Sequence, residues 1–192
     1  MTTTPDPTPS ARRAPDLRLG GLVDLDADRL AGLDVAGVLL DVDETLVPAG
    51  VDVPDAAVAA WVHDARARGV RVAGVSNGAP DRVARVAAHV GIPATSLAGK
   101  PWPGAFRRAA RRLGLPPHRV VMVGDQWFTD VLGAHLAGLR TVQLTPLSDG
   151  GLPHTRLLRR LERRLDRRPD RRPASAGDRE GGPADGVAQR RG

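Results

Sequence analysis

Apolar residues in this chain come in short blocks that alternate with amphipathic stretches. Residues 38–41, 70–75, 95–98, 120–123 and 141–144 are compact runs rich in Val, Leu and Ala, short enough to be buried strands. Between them the spacing changes to that of a helix. Over 54–68, Val58, Trp61, Val62 and Ala65 fall on one face, with Pro54 near the start and Gly69 as the stop. Over 80–90, Val83, Val86 and Val90 do the same before Gly91, and over 104–113 Phe106, Ala110 and Leu113 precede Gly114. A fourth helix is expected over 130–136, ahead of Gly138. Strand and helix alternating at this pitch predict an α/β fold: a doubly wound, Rossmann-like parallel sheet of about five strands with right-handed crossovers.

The ends of the chain follow a different pattern. Residues 1–18 are rich in Thr, Pro and Arg and read as a disordered leader; residues 169–192 are Pro, Gly, Asp and Arg with little to bury and read as a disordered tail. The folded domain is therefore expected over 19–168. Hydrophobic residues make up 41% and aromatics 3%, so its core must be built mainly from Val, Leu and Ala. No run of 18 apolar residues predicts a membrane span, and Met1 to Asp16 lacks the apolar core of a signal peptide. The absence of cysteine excludes disulfides and thiolate zinc sites and fits a cytoplasmic location.

Four polar clusters stand at or just past the predicted C-terminal ends of strands: Asp41/Asp43/Thr45, Ser76/Asn77, Lys100 and Asp125/Asp130. Open α/β sheets build ligand sites along that edge. Asp41 and Asp43 sit at i and i+2, so strand alternation is expected to point them the same way, where a cation or a shared proton must offset their repulsion. Asp carboxylates with water and phosphate oxygens are the ligand set Mg²⁺ prefers. Ser76-Asn77-Gly78 opens the turn before a helix, where a hydroxyl and backbone N–H groups can hold phosphate oxygens. Taken singly, each cluster also has a plainer account as a strand-end turn or a helix cap.

Lys100 is the only lysine in a chain whose basic residues are otherwise arginine. A compact ammonium can stand between carboxylates and a phosphate where a planar guanidinium does not fit. His63, His89, His118 and His154 show no ligand spacing, and His135 lies in the helix after the fourth cluster. Trp61 and Phe106 fall on core faces, whereas Trp102 and Trp127 each lie two residues from a site charge and could wall a pocket.

In this order, Asp41-Val-Asp43-Glu-Thr45, Val75-Ser76-Asn77, Lys100-Pro101 and Gly124-Asp125-Gln126-Trp127-Phe128-Thr129-Asp130 resemble the four motifs of the haloacid dehalogenase (HAD) superfamily. The last motif resembles the YqeG branch of the subclass IIIA phosphatases, a branch that includes phosphatidylglycerophosphate phosphatases. The resemblance spans about residues 20 to 165. It departs from the branch at Glu44, where Asn is usual, and at His135-Leu136, where a more polar pair is expected.

The resemblance implies a phosphatase in which Asp41 attacks phosphorus and Asp43 serves as acid and then base. It also implies Mg²⁺ held by Asp41, Asp43 and Asp125, with Lys100, Thr45, Ser76 and Asn77 around the phosphate and Asp130 in support. Haloalkanoate dehalogenation is disfavoured, because such chemistry does not require the proton that Asp43 supplies. A phospho-receiver module is a further alternative, but there the lysine would come last, and here Lys100 precedes Asp125.

Spacing narrows the substrate. Only 32 residues separate Asp43 from Ser76 and 23 separate Ser76 from Lys100. Neither gap holds an inserted domain of ~50 residues. A cap-less site would stay open to a protein, a nucleic acid or a lipid headgroup.

The net charge of +6 resides wholly between Arg156 and Arg172, where nine arginines meet three acids. Leu157, Leu158, Leu161 and Leu165 fall on one arc of a helical wheel there. A basic amphipathic helix over about 153–168 would either pack on the sheet or lie on anionic lipid at the inner membrane face. Nucleic acid is not expected, since no aromatic residue interleaves with the arginines. The substrate readings are phosphatidylglycerophosphate or, alternatively, a soluble phosphoester of a sugar, nucleotide or phosphoprotein.

Overall fold

The structure, a computed structural model, describes residues 14–148. The basic segment at 153–168 and the tail at 169–192 lie outside the described residues, as do residues 1–13 of the leader. Strands β1 (Leu17–Leu19), β2 (Gly37–Leu40), β3 (Arg71–Val75), β4 (Ala94–Thr95), β5 (Val120–Gly124) and β6 (Arg140–Leu144) form one sheet in the order β1-β6-β5-β2-β3-β4. Every pairing is parallel, so all six strands deliver their C-terminal ends to one edge. Helices α1 (Ala27–Gly32), α2 (Ala56–Ala67), α3 (Pro80–His89), α4 (Pro103–Arg112) and α5 (Gly133–Ala137) fill the connections.

Alternation along the central strands sorts the core into two layers. Val38, Leu40, Val121 and Val123 face Val58, Val62, Val83 and Val86 of α2 and α3. Leu39, Val120 and Met122 face the opposite way, onto Phe106 and Ala110 of α4 and Ala134 of α5. Helices thus cover both faces, as the alternating pattern requires. Among the described residues, the links β2–β3 and β3–β4 contain loops and the single helices α2 and α3, with no inserted domain.

Six strands replace the expected five. The added one is β1, which straddles the expected boundary between leader and domain at residue 18: Leu17, Arg18 and Leu19 pair with Val142, Gln143 and Leu144. Asp16 secures it, since its carboxylate accepts from the Thr141 backbone N–H (2.8 Å) and hydroxyl (3.1 Å) and lies 3.2 Å from His135 Nε2. Burial alone would raise the Asp16 carboxyl, but the bonds with His135 and Thr141 outweigh it and lower its pKa to about 2. A carboxyl held below its unfolded value of 3.8 stabilises the fold above that pH and ceases to do so as pH falls toward 2. With an allowance for partial exposure, Asp16→Asn should cost about 1–2 kcal/mol at pH 7 and flatten the acid limb between pH ~4 and ~2 in urea titrations.

The segment expected as a helix over 130–136 begins earlier, as a π-helical turn at Trp127–Leu132 that runs into α5. The wider turn draws Asp130 beneath β5, where it is fully buried. Gly124 permits this, because a Cβ there would collide with the Asp130 carboxylate. The geometry of one site residue therefore depends on the absence of a side chain at another position.

Candidate active site

Asp41 follows β2 directly and extends its pairing, with its N–H donating to Val123 O at 2.9 Å. Its Oδ1 accepts from the Val42 N–H at 2.8 Å and meets Lys100 Nζ at 2.8 Å. The same ammonium lies 2.7 Å from Asp130 Oδ1. All three side chains are buried. Asp125, at the end of β5, completes a group in which carboxylate oxygens of Asp41, Asp125 and Asp130 lie within 4.8 Å of one another.

Lys100 is held by the second cluster. Asn77 Oδ1 accepts from the N–H groups of Gly99 (3.0 Å) and Lys100 (2.8 Å), and Asn77 Nδ2 donates to Lys100 O at 2.8 Å. The amide expected to face phosphate thus clamps the backbone that carries the ammonium. Ser76 Oγ accepts from the Gly78 N–H at 2.9 Å. Both Ser76 Oγ and Asp43 Oδ2 stand beside Gly78, at 3.1 and 3.5 Å from where a Cβ would be, so a glycine there lets the first two clusters approach.

Asp43 does not share the environment of Asp41. The strand ends at Leu40, and a turn follows in which the Leu46 and Val47 N–H groups both donate to Val42 O. Strict alternation therefore fails before it reaches Asp43. Its carboxylate, one-third exposed, pairs with Arg82 near the start of α3. Arg82 also meets Asp52 (3.0 Å) and donates to Val51 O (2.8 Å), while Arg85 meets Asp52 at 2.8 Å.

Sequence reasoning passed over Arg82, which nothing in the sequence separates from 26 other arginines. Glu44 adopts a positive φ of 62° and is buried; its carboxylate accepts from Ala49 N–H (3.1 Å), Ser148 N–H (2.8 Å) and Ser148 Oγ (2.6 Å). A left-handed residue is the preference of Asn or Gly, and three hydrogen bonds hold a glutamate there instead. Trp102 is largely exposed, and Trp127 is half-buried in the π-helical turn.

Charge is the central fact of the pocket. Burial raises the Asp41 carboxyl to about 7, against the pull of Lys100. Burial raises Asp130 as well, against the same ammonium. Burial alone would lower Lys100, but Asp130 and Asp41 outweigh it and hold the ammonium firmly protonated. Lys100 Nζ thus serves two buried carboxylates, Asp41 and Asp130, with the Asp125 carboxylate close by. The all-oxygen donor set of these carboxylates suits a hard divalent cation. Thr45 Oγ1, buried without a hydrogen-bond partner, is a further polar atom available to a ligand.

A sheet edge bearing this arrangement is that of a phosphate-handling hydrolase, and comparison with known proteins agrees. The HAD-hydrolase-like family model matches residues 97–145. A probable phosphatase, YqeG, of Bacillus subtilis is 35% identical over 140 residues, covering 71% of this chain and 80% of that one. The chloroplastic phosphatidylglycerophosphate phosphatase 1 of Chlamydomonas reinhardtii is 31% identical over 156 residues, covering 77% of this chain and 56% of that one. An uncharacterized protein from Listeria monocytogenes shares the fold, with a TM-score of 0.51 at 23% identity over 62% of this chain and 85% of the other. The chain belongs to the HAD superfamily, in the YqeG-like branch of its phosphatases.

Proposed function

We propose that this phosphatase is a Mg²⁺-dependent phosphomonoester hydrolase that works through an aspartyl-phosphate on Asp41, with phosphatidylglycerophosphate as its substrate. The observation that carries the chemistry is the buried Asp41 carboxylate, held by Lys100, which is in turn shared with Asp130. In the first step an Asp41 oxygen bonds to phosphorus, the ester P–O bond breaks, and the leaving oxygen takes a proton from Asp43. In the second, water attacks phosphorus, Asp43 takes its proton, and the Asp41–phosphate bond breaks. In this reading the part-exposed Asp43 carboxylate would exchange its pairing with Arg82 for contact with the leaving oxygen and then the water.

Mg²⁺ would be held by Asp41, Asp125 and the Asp43 carbonyl, and would supply charge neutralisation between carboxylate and phosphate. Lys100, Thr45 and Ser76 would donate to the transferred oxygens, with the Lys100 ammonium fixed by Asn77 and Asp130. Support for the lipid substrate comes from the algal relative's activity, from a site without an inserted domain, and from the basic sequence at 156–172. Among the described residues no helix is long and apolar enough to cross a membrane, so contact with the cytoplasmic face of a bilayer would be peripheral.

A phosphate-release screen over lipid, sugar, nucleotide and phosphopeptide monoesters, with Mg²⁺ or EDTA, tests the proposal. Phosphatidylglycerophosphate should rank first, and EDTA should abolish turnover. A soluble ester ranking first would transfer the assignment to that class. Replacing Arg159, Arg160, Arg163 and Arg164 with Gln should spare a small soluble ester and weaken binding to anionic vesicles, an effect that added salt should mimic in the wild type. Equal vesicle binding by both proteins at low salt would remove the membrane role of that segment.

A further inference from the structure

Several large apolar side chains are partly or largely exposed on segments that leave the C-terminal ends of strands. Val51 and Val53 lie in the loop after β2, Leu97 and Trp102 in the loop after β4, Phe128 in the turn after β5, and Leu147 after β6. The exposures are large: Trp102 76%, Leu97 69% and Val53 60%. Single exposed apolar residues are ordinary on any protein surface. Here they share the edge of the sheet that carries Asp41, Lys100 and Asp125.

Several features narrow what such an edge fits. The side chains come from separate loops on both sides of the site and include a tryptophan, the residue that favours the boundary between lipid tails and headgroups. Arg82 and Arg85 of α3 are balanced by Asp43 and Asp52, so this part of the rim carries no net charge to repel an anionic surface. The described chain ends at Ser148, tied to Glu44 on this same edge. Arg156, the first of nine arginines, is eight residues further on, within roughly 28 Å of that point at full extension. The apolar side chains, the acidic site and Ser148, the last described residue, therefore share one edge of the sheet.

We infer that the catalytic edge of the sheet is a docking face for an anionic lipid bilayer, with Trp102, Leu97 and Val53 entering the interface around the site. The inference rests on the reading of a lipid-borne substrate and adds the surface and orientation with which the enzyme meets it. Docked this way, the opening faces the headgroup layer, and a phosphomonoester needs to leave the bilayer plane by only a short distance to reach Asp41.

The test uses the full chain and vesicles of phosphatidylcholine with 30% phosphatidylglycerol. Tryptophan emission of the wild type should be quenched by lipids brominated on the acyl chain, and Trp102→Gln should lose most of that quenching. The triple variant Trp102→Gln, Leu97→Asn, Val53→Thr should bind vesicles about tenfold more weakly, yet hydrolyse a small soluble phosphoester within twofold of wild type. Asparagine suits the positive φ of 44° at Leu97, and all three side chains lie outside the core. Trp102→Phe should restore most of the binding. The ratio between wild type and triple variant should persist in 0.5 M salt, because apolar insertion is not screened. Absence of quenching in the wild type, or equal vesicle binding by wild type and triple variant, would overturn the inference. So would a change of oligomeric state in the variant with vesicle binding intact, which would assign the rim to contact between copies. Rim-dependent binding without hydrolysis of phosphatidylglycerophosphate would uphold the docking face and refute only the substrate.

Discussion

Asp41→Asn should lower kcat on any working substrate by at least ~10⁴-fold while the thermal midpoint stays level or rises. The two halves of this result have separate causes. An amide cannot form the covalent link to phosphorus, so turnover disappears with the nucleophile. Stability survives because the wild-type carboxylate is buried among like charges, with its pKa raised to about 7. A folded-state pKa above the unfolded 3.8 means that the native state binds the extra proton between those values. Metal-free wild type should therefore lose stability as pH rises from ~4 through ~7, and Asp41→Asn should lose much less. Added Mg²⁺ should flatten the wild-type profile by favouring the ionised carboxylate. Thermal melts at several pH values in EDTA and in Mg²⁺ check all three statements, and retention of most turnover in purified Asp41→Asn would sink the mechanism.

Lys100→Met should be the most destabilising single change near the site. It leaves Asp41 and Asp130 buried beside each other and Asp125 with no ammonium between them, a loss of about 3–5 kcal/mol for a buried charge deprived of its partner. The denaturation midpoint should fall accordingly, and Mg²⁺ should recover part of the loss by serving as the missing cation. Lys100→Arg separates charge from shape. It keeps the positive charge but forces a planar fork into a site where one nitrogen reaches two carboxylates, and kcat/KM should drop by ~10²-fold or more. Full activity in the arginine variant would make the uniqueness of this lysine a matter of composition. Full stability in the methionine variant would mean that the carboxylates take up protons without difficulty.

How far these features could be read in the sequence depends on their range. Strands β2, β3 and β5 are near-continuous apolar runs because helices cover both faces of the sheet, and such runs stand out in the sequence. The strand-end acids and Lys100 were visible because chain order and the doubly wound pattern place them on one edge. What escaped is set by tertiary contact. Leu17–Leu19 is a strand through its pairing with β6 and the Asp16–Thr141 bonds, and three residues in a Pro- and Arg-rich stretch carry no period of their own. Asp43 parts from Asp41 because the turn after β2 interrupts alternation, and it meets an arginine 39 residues away. Asn77 looks like a ligand in sequence, yet its amide is engaged by a backbone 23 residues on. The π-helical turn depends on Gly124 leaving room for Asp130, a steric fact between two elements rather than a pattern within one.

Glu44 determines where this protein can be shortened. Two of its three donors belong to Ser148, so a chain cut at the end of β6 would retain every strand and still leave a buried carboxylate largely deprived of hydrogen bonds in a left-handed turn next to Asp43. Among the described residues the foldable unit therefore extends past β6 to at least Ser148. Any shortened chain, inserted tag or fusion should keep at least the residues up to Ser148.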